Sequence, residues 1–98
     1  MAEVVLARRA RVWLNAQTDY LLIDHPRAAA HLANRMADAI RLLGEFPLSG
    51  VRTGILGTRR LIMAPYVFTY REAGPGLVVI IDIRHSRQRE TPPPDKLK

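Results

Sequence analysis

The spacing of apolar residues changes character partway along the chain. Up to Leu43, apolar side chains recur every three or four positions, which is the spacing of one face of an α-helix. From Thr58 onward, short runs rich in aromatic and β-branched residues are typical of strands. Because the helical part precedes the strand-like part instead of alternating with it, the sequence predicts an α+β domain.

The first half is predicted to form a short strand and two helices. Residues 3–6 read as the strand, and the first helix is expected over residues 8–23. Its apolar face is predicted to comprise Val12, Trp13, Ala16, Tyr20 and Ile23. Asp24-His25-Pro26 interrupts this pattern, so Asp24 or His25 is expected to cap a second helix that begins near Pro26.

The second helix is predicted to run to about Leu43 and to stop at Gly44. Its buried face is expected to be formed by Ala29, Leu32 or Ala33, Met36, Ile40 and Leu43. Because the connection between the two helices is so short, they should pack as an antiparallel hairpin.

The second half is predicted to form a small antiparallel sheet. Strands are expected over residues 58–63, 66–71 and 77–84, and their short connecting turns require antiparallel pairing. The apolar run Leu77–Ile81 indicates a central strand covered on both faces. Residues 46–57 are expected to be irregular. The predicted architecture is β-α-α-β-β-β, with the helical hairpin packed on the sheet.

Length and composition favour one soluble domain. The 98 residues suit a single domain, expected over residues 1–89, followed by a polar and mobile tail over 90–98. No cysteine is present, the longest apolar run is far shorter than a membrane span, and early arginines are unlike a signal peptide. We therefore expect a cytoplasmic protein without disulfides. No cofactor motif occurs, and His25 and His31 do not share a helix face, so no metal site is predicted.

The positive charge is concentrated in the second half of the chain. Residues 1–49 contain six arginines and five acidic residues, which gives a net charge of +1. Residues 50–98 contain seven arginines, two lysines and four acidic residues, which gives +5. This distribution predicts a basic patch that faces an acidic partner.

One group of residues has chemical potential. Arg59 and Arg60, the tyrosines Tyr66 and Tyr70, and the segment 84–87 are expected to meet at one end of the sheet. A histidine transferring a proton beside guanidinium groups that stabilise an anionic phosphorane would provide the parts for RNA cleavage. The candidate catalytic residues are Arg59, Arg60, His85 and Arg87. The alternative is structural, with the tyrosines at the edge of the core and His85 as a hydrogen-bonding residue.

The ordered set of elements resembles the RelE/ParE toxins. The segment Leu6–Leu14 and Asp19-Tyr20 are similar to the family's first helix, and Phe46-Pro47 with Gly50 is similar to its "L-x-x-x-P-x-x-G" ending. Further along, the "R-x-L" and "Y-x-x-x-Y-R" strands and a closing strand with a histidine are matched by Arg59, Leu61, Tyr66, Tyr70, Arg71, Val78–Ile81, Ile83 and His85. The resemblance covers about residues 3 to 89.

The resemblance implies the toxin of a bacterial type II toxin–antitoxin pair. It implies an antitoxin whose acidic, amphipathic C-terminal segment wraps the toxin, and DNA binding only indirectly, through that antitoxin. The residues expected to contact the antitoxin are Trp13, Gln17, Tyr20, Tyr66, Tyr70 and Arg71.

Two branches of the family differ in their targets. The RelE branch cuts messenger RNA on the ribosome with lysines, arginines and often a C-terminal tyrosine, whereas the ParE branch poisons DNA gyrase. Here the only lysines are Lys96 and Lys98, and no tyrosine follows Arg71. We therefore expect a ParE-like gyrase inhibitor, with the ribonuclease and a non-toxic interaction module as alternatives. The residues expected to contact the target are Arg59, Arg60, Arg84, His85, Arg87 and Arg89.

Overall fold

The computed structural model describes residues 1–87, and it shows a helical hairpin packed on one face of a five-stranded sheet. Arg89 and the expected tail over 90–98 lie outside the described residues. Within them, no helix is long and apolar enough to cross a membrane. The elements, in chain order, are β1 (Glu3–Leu6), α1 (Arg8–Asp24), α2 (Pro26–Glu45), β2 (Val51–Arg52), β3 (Thr58–Met63), β4 (Tyr66–Gly74) and β5 (Leu77–His85).

The helix α2 buries most of the face that the sequence predicts. Its buried apolar residues are Ala29, Leu32, Met36, Ala39 and Leu43, at the three- and four-residue spacing of one helical face. The predicted Ile40 is partly exposed instead, and Ala39 takes its place in the core.

Two predictions at the ends of α2 were wrong in detail. His25 does occupy the capping position, but its side chain makes no capping hydrogen bond. The helix continues past Gly44 to Glu45. Gly44 is instead a point of close approach, because Ala2 donates its backbone N–H to the Gly44 carbonyl at 2.8 Å. An added Cβ at Gly44 would stand 3.3 Å from the Ala2 carbonyl oxygen.

The helix α1 faces the sheet with a different set of residues from the predicted set. Ala10 and Leu21 are buried, whereas Val12, Tyr20 and Ile23 are 56%, 62% and 78% exposed. Apolar residues lie on more than one side of this helix, so their spacing does not determine which side is buried. Because Ala10 lacks a bulky side chain, its side of α1 can pack close to the sheet.

The sheet has the order β1-β5-β4-β3-β2, and β3, β4 and β5 pair antiparallel as predicted. The strand β1 joins the outer edge of β5 in parallel, so the sheet is mixed and not purely antiparallel. The short strand β2 pairs antiparallel with β3 in a segment that was expected to be irregular. A two-residue strand is too short to show any periodic pattern in the sequence.

The strand β5 lies between β1 and β4, but only one of its faces is fully covered. Val78, Ile80 and Ile83 are buried, whereas Val79 and Ile81 are half-buried. The prediction that both faces are covered was therefore wrong, because the helices pack on one face alone. A shift in the β4–β5 register between Thr69 and Tyr70 leaves Ile81 without a partner, so that Ile80 and Ile83 both face the core.

The strand β4 is central and fixes the segment that precedes β3. Tyr70 is fully buried, and its hydroxyl oxygen accepts the backbone N–H of Gly50 at 2.8 Å. A Cβ added to Gly50 would lie 2.7 Å from the Tyr70 hydroxyl oxygen and from the Arg60 carbonyl oxygen. Only glycine allows the chain to approach the tyrosine this closely.

Replacing Gly50 with alanine should therefore destabilise the domain. The new methyl group has to displace the Arg60 backbone or the Tyr70 ring, which we expect to lower the free energy of unfolding by about 1–3 kcal/mol. Gly54→Ala is the matched control, since a Cβ there meets nothing within 4 Å. Urea unfolding measures both variants, and equal stabilities for the two would contradict the close packing at Gly50.

Candidate functional site

The predicted catalytic group is not assembled in the structure. Arg59 pairs across the sheet with Tyr70, whereas His85 pairs with Tyr66. Tyr66 and Tyr70 are four residues apart on β4, which corresponds to about 13 Å along the strand at about 3.3 Å per residue. The prediction that Arg59, Arg60, His85 and Arg87 meet at one end of the sheet was wrong. The physical reason is the direction of the strands. Because β3 and β5 both run antiparallel to the strand β4 between them, the start of β3 lies level with the start of β5 and not with its end.

The residues expected to contact the target are also divided between the two faces of the sheet. Neighbouring residues on a strand point to opposite faces, so Arg59 and Arg60 are separated, as are Arg84 and His85. Arg59 and His85 lie on the side of Tyr66 and Tyr70, and Arg60 and Arg84 lie on the other side. The exposed Arg87 follows β5 in a turn, and Arg89 is outside the described residues.

His85 has a structural position in this turn. Its Nδ1 atom accepts the backbone N–H of Arg87 at 3.1 Å, so this nitrogen carries no proton in that bond. The imidazole also packs at a steep angle against Tyr66, with ring centroids 5.5 Å apart. These contacts agree with the structural alternative that the sequence left open for this histidine.

Tyr66 lies at the centre of an aromatic cluster. Its ring contacts Trp13 of α1 edge-on at 6.2 Å and His31 of α2 at 6.4 Å, in addition to His85. Burial of Tyr66 disfavours the phenolate and raises the pKa of its hydroxyl. The cluster connects both helices to the sheet and is therefore part of the core.

The residues expected to contact the antitoxin do not form one surface. Tyr66 and Tyr70 are buried and offer no side-chain surface to a partner, so they must be removed from that set. Trp13 and Gln17 on α1 are half-buried. The remaining two, Tyr20 and Arg71, are both exposed, but Arg71 lies near the far end of β4 from the aromatic cluster.

The first exposed apolar surface lies along α1. It consists of Val12, Ala16, Tyr20 and Ile23, and we call it the α1 stripe. The four residues are spaced by four, four and three positions, so they line one side of the helix. The sequence identified this set, but as core and not as surface.

The second exposed apolar surface was missed from the sequence and lies in the segment between α2 and β3. Ile55 and Leu56 are 72% and 101% exposed, and the tip they form is called the 55–56 knuckle here. Further exposed apolar residues of this segment are Phe46, Leu48 and Val51. The available signal was two large aliphatic residues between Gly54 and Gly57, which is unusual in a turn that has no partner.

Hydrogen bonds hold the knuckle in a defined conformation. Thr53 accepts the backbone N–H of Ile55 through its hydroxyl oxygen at 3.0 Å, and its own hydroxyl contacts that of Thr58. The Thr58 hydroxyl donates to the Ile55 carbonyl oxygen at 2.7 Å. Gly57 turns the chain back toward β3 with φ 84°, a backbone conformation that favours glycine.

A hollow of about 360 Å³ lies beside the knuckle. Three arginines, Arg52, Arg59 and Arg71, contribute to its lining, together with one acidic residue, Glu72. Arg59 also holds the rim, because its Nη1 atom donates to the Gly50 carbonyl oxygen at 2.9 Å and to that of Leu48 at 3.3 Å. The surface thus combines aliphatic edges with a positively charged lining. Within residues 1–87, no cluster of three or more histidine, aspartate or glutamate side chains is suited to hold a metal ion.

The chain is similar in sequence to known toxins. The family model described as "ParE toxin of type II toxin-antitoxin system, parDE" matches residues 4–90. Toxin RelE2 of Caulobacter vibrioides is 40% identical over 87 residues, which cover 88% of this chain and 97% of that protein. A putative toxin of Sinorhizobium fredii, Y4kP, is 36% identical over 72 residues, covering 71% of this chain and 73% of the relative.

Solved structures share the fold. The chromosomal ParDE system of P. aeruginosa contains a chain that superposes with a TM-score of 0.68 at 21% identity, covering 87% of this chain and 96% of that one. The RelBE2 toxin–antitoxin complex of Mycobacterium tuberculosis gives a TM-score of 0.60 at 24% identity, with coverages of 86% and 90%. The family match and the sequence relatives together establish that the chain belongs to the ParE toxin family of type II toxin–antitoxin systems, within the RelE/ParE superfamily.

Proposed function

We propose that this toxin acts by binding and inhibiting DNA gyrase, and that a cognate antitoxin neutralises it. The observation that carries the proposal is the sheet register, which separates Arg59 from His85. General acid–base catalysis requires a proton-transferring group within hydrogen-bond reach of the reacting atoms, together with the groups that stabilise the developing charge. Arg59 and His85 are too far apart along the sheet to act on one phosphate, which supports a toxin that binds its target.

The ribonuclease alternative has support from the relatives. One sequence relative is a RelE2 toxin, and one structural neighbour comes from a RelBE2 complex. In that case the chain would cut messenger RNA on the ribosome, with His85 as the proton-transferring residue. The sheet register counts against this role, because it keeps His85 away from Arg59.

The α1 stripe supports the antitoxin part of the proposal. Both structural neighbours belong to toxin–antitoxin systems, and α1 exposes apolar side chains along most of its length. An amphipathic helix of an antitoxin can bury this stripe against its own apolar face. Any DNA binding by the complex would then be a property of the antitoxin.

The first test is a gyrase assay with purified toxin. We expect inhibition of DNA supercoiling and accumulation of cleaved DNA, and we expect a His85→Gln variant that remains folded to retain both effects, because a toxin that only binds its target needs no proton transfer by this histidine. Supercoiling that is unaffected by a large excess of toxin would contradict the gyrase proposal. Primer extension on translated messages examines the alternative, since only a ribonuclease would produce cuts that disappear in His85→Gln. Harmless expression without an antitoxin would instead favour the non-toxic module.

A second test addresses the antitoxin surface. Tyr20→Asp and Ile23→Asp place a charge in the α1 stripe, and burying an unpaired charge against an apolar helix is unfavourable. We expect each variant to weaken antitoxin binding by about tenfold or more, equivalent to at least about 1.4 kcal/mol. Ala30→Asp is the control, because Ala30 is exposed on α2 and outside the stripe. Calorimetric titration with the antitoxin measures the affinities, and equal affinities for all three variants would remove α1 from the interface.

A further inference from the structure

We infer that the 55–56 knuckle and its hollow form the surface that grips the toxin's target, and that the occupant is an acidic, partly apolar segment of a folded target protein. The inference rests on the proposed function and deepens it by naming the binding surface and the chemistry of its partner. It differs from the predicted target set, since Ile55, Leu56, Arg52 and Arg71 were not assigned to target binding.

The knuckle exposes apolar side chains to solvent. Ile55 and Leu56 present large aliphatic side chains to water, and the exposed Leu48 lines the same hollow as they do. Scattered apolar residues are common on protein surfaces, whereas a contiguous patch marks an interaction site. These three residues all line one hollow. They therefore form a patch and not a set of unrelated side chains.

Hydrogen bonds hold the segment between α2 and β3 in one conformation. Its base is fixed by the Gly50 N–H bond to the buried Tyr70, and its rim by the two carbonyl contacts of Arg59. Its tip is fixed by the hydroxyl groups of Thr53 and Thr58. A surface already held in one conformation loses little conformational entropy when it binds, which favours affinity. The chain thus stabilises an apolar tip that contributes nothing to its own core.

The lining of the hollow carries a positive charge. Arg52, Arg59 and Arg71 oppose a single acidic residue in its lining, and none of the ion pairs found within residues 1–87 involves these three arginines. A guanidinium group binds a carboxylate through paired hydrogen bonds. The complementary partner is a protein segment that carries aspartate or glutamate beside apolar side chains.

The surface of the knuckle and its hollow fits a protein partner better than a nucleic acid. Phosphate groups can also bind arginines, but surfaces that bind single-stranded RNA stack the bases on aromatic rings. The exposed tip here is aliphatic, the ring of Tyr70 is buried, and the exposed ring of Phe46 is not part of the lining of the hollow. A protein pocket receives Ile55 and Leu56 better than a base does.

The knuckle lies apart from the surface that we propose for the antitoxin. The knuckle shares no residue with the α1 stripe, so an antitoxin bound along α1 would leave the knuckle's own atoms uncovered. The stripe runs from Val12 to Ile23, a rise of about 17 Å at about 1.5 Å per residue, which suits an extended partner helix. The knuckle is a projecting tip beside a hollow of about 360 Å³, which suits one loop of a folded protein.

The experiment compares knuckle variants with a matched surface variant in the full chain. Leu56→Asp and Arg52→Glu alter the apolar tip and the basic lining, and neither position is part of the core because both residues are exposed. Ile62→Asp is the control, since Ile62 is a similarly exposed aliphatic residue of β3 outside the hollow. Circular dichroism confirms that each variant is folded. The readouts are growth inhibition on expression, gyrase supercoiling and antitoxin affinity.

We expect Leu56→Asp and Arg52→Glu to abolish growth inhibition and to require about tenfold more toxin for the same loss of supercoiling. Their affinities for the antitoxin should stay within about twofold of the parent chain, and Ile62→Asp should behave as the parent does. Full growth inhibition by Leu56→Asp would overturn the inference, as would a loss of antitoxin affinity equal to the loss of toxicity.

The growth readout separates this inference from the proposed function. A parent chain that stops growth but leaves gyrase unaffected contradicts the gyrase proposal, while Leu56→Asp still reports on the knuckle. If the parent chain instead cuts messenger RNA and Leu56→Asp does not, the occupant is RNA and the inference of a protein partner is wrong.

Discussion

The hydrogen bond from the Gly50 backbone to the buried Tyr70 hydroxyl determines how the two halves of this fold are joined. The Tyr70 ring belongs to the central strand, and its burial places a hydroxyl group inside the core, where it needs a partner. The chain leaving α2 supplies that partner, and glycine is required there because a Cβ would lie 2.7 Å from the tyrosine. The position of the apolar 55–56 knuckle follows from this contact, because the bond fixes the start of the segment that carries it.

The arrangement of arginines supports our proposal that this toxin acts by binding and not by catalysis. Strand direction places His85 beside the start of β4 and Arg59 beside Tyr70, four residues further along, and alternation along each strand divides the arginines of β3 and β5 between two faces. Three arginines line the hollow beside the knuckle, but His85 is not part of that lining. The charge that in the sequence resembled a nuclease site therefore lacks a nearby histidine, which supports our proposal of protein recognition.

Much of the fold follows from the sequence, and the exceptions have identifiable physical causes. The order of helices and strands, the buried face of α2 and the antiparallel β3–β4–β5 pairing were predicted correctly, because each rests on a local pattern or a short turn. The burial of α1 was not, because its apolar residues occupy more than one side and only the packed sheet selects among them. Strand β1 joins the sheet in parallel through contacts distant in sequence, which no local pattern reveals. The predicted site failed for a related reason, since residues at strand ends were grouped without regard to strand direction.

We propose that this small toxin has two separate surfaces, an apolar stripe on α1 for the antitoxin and a rigid knuckle for the target. Hydrogen–deuterium exchange of the toxin, alone and bound to each partner, measures this separation most directly. The account predicts that the antitoxin slows exchange of α1 backbone amides over residues 12–23, and that gyrase slows exchange over residues 46–58. Slowed exchange of the same segment by both partners, with the other segment unaffected, would contradict the separation of the two surfaces.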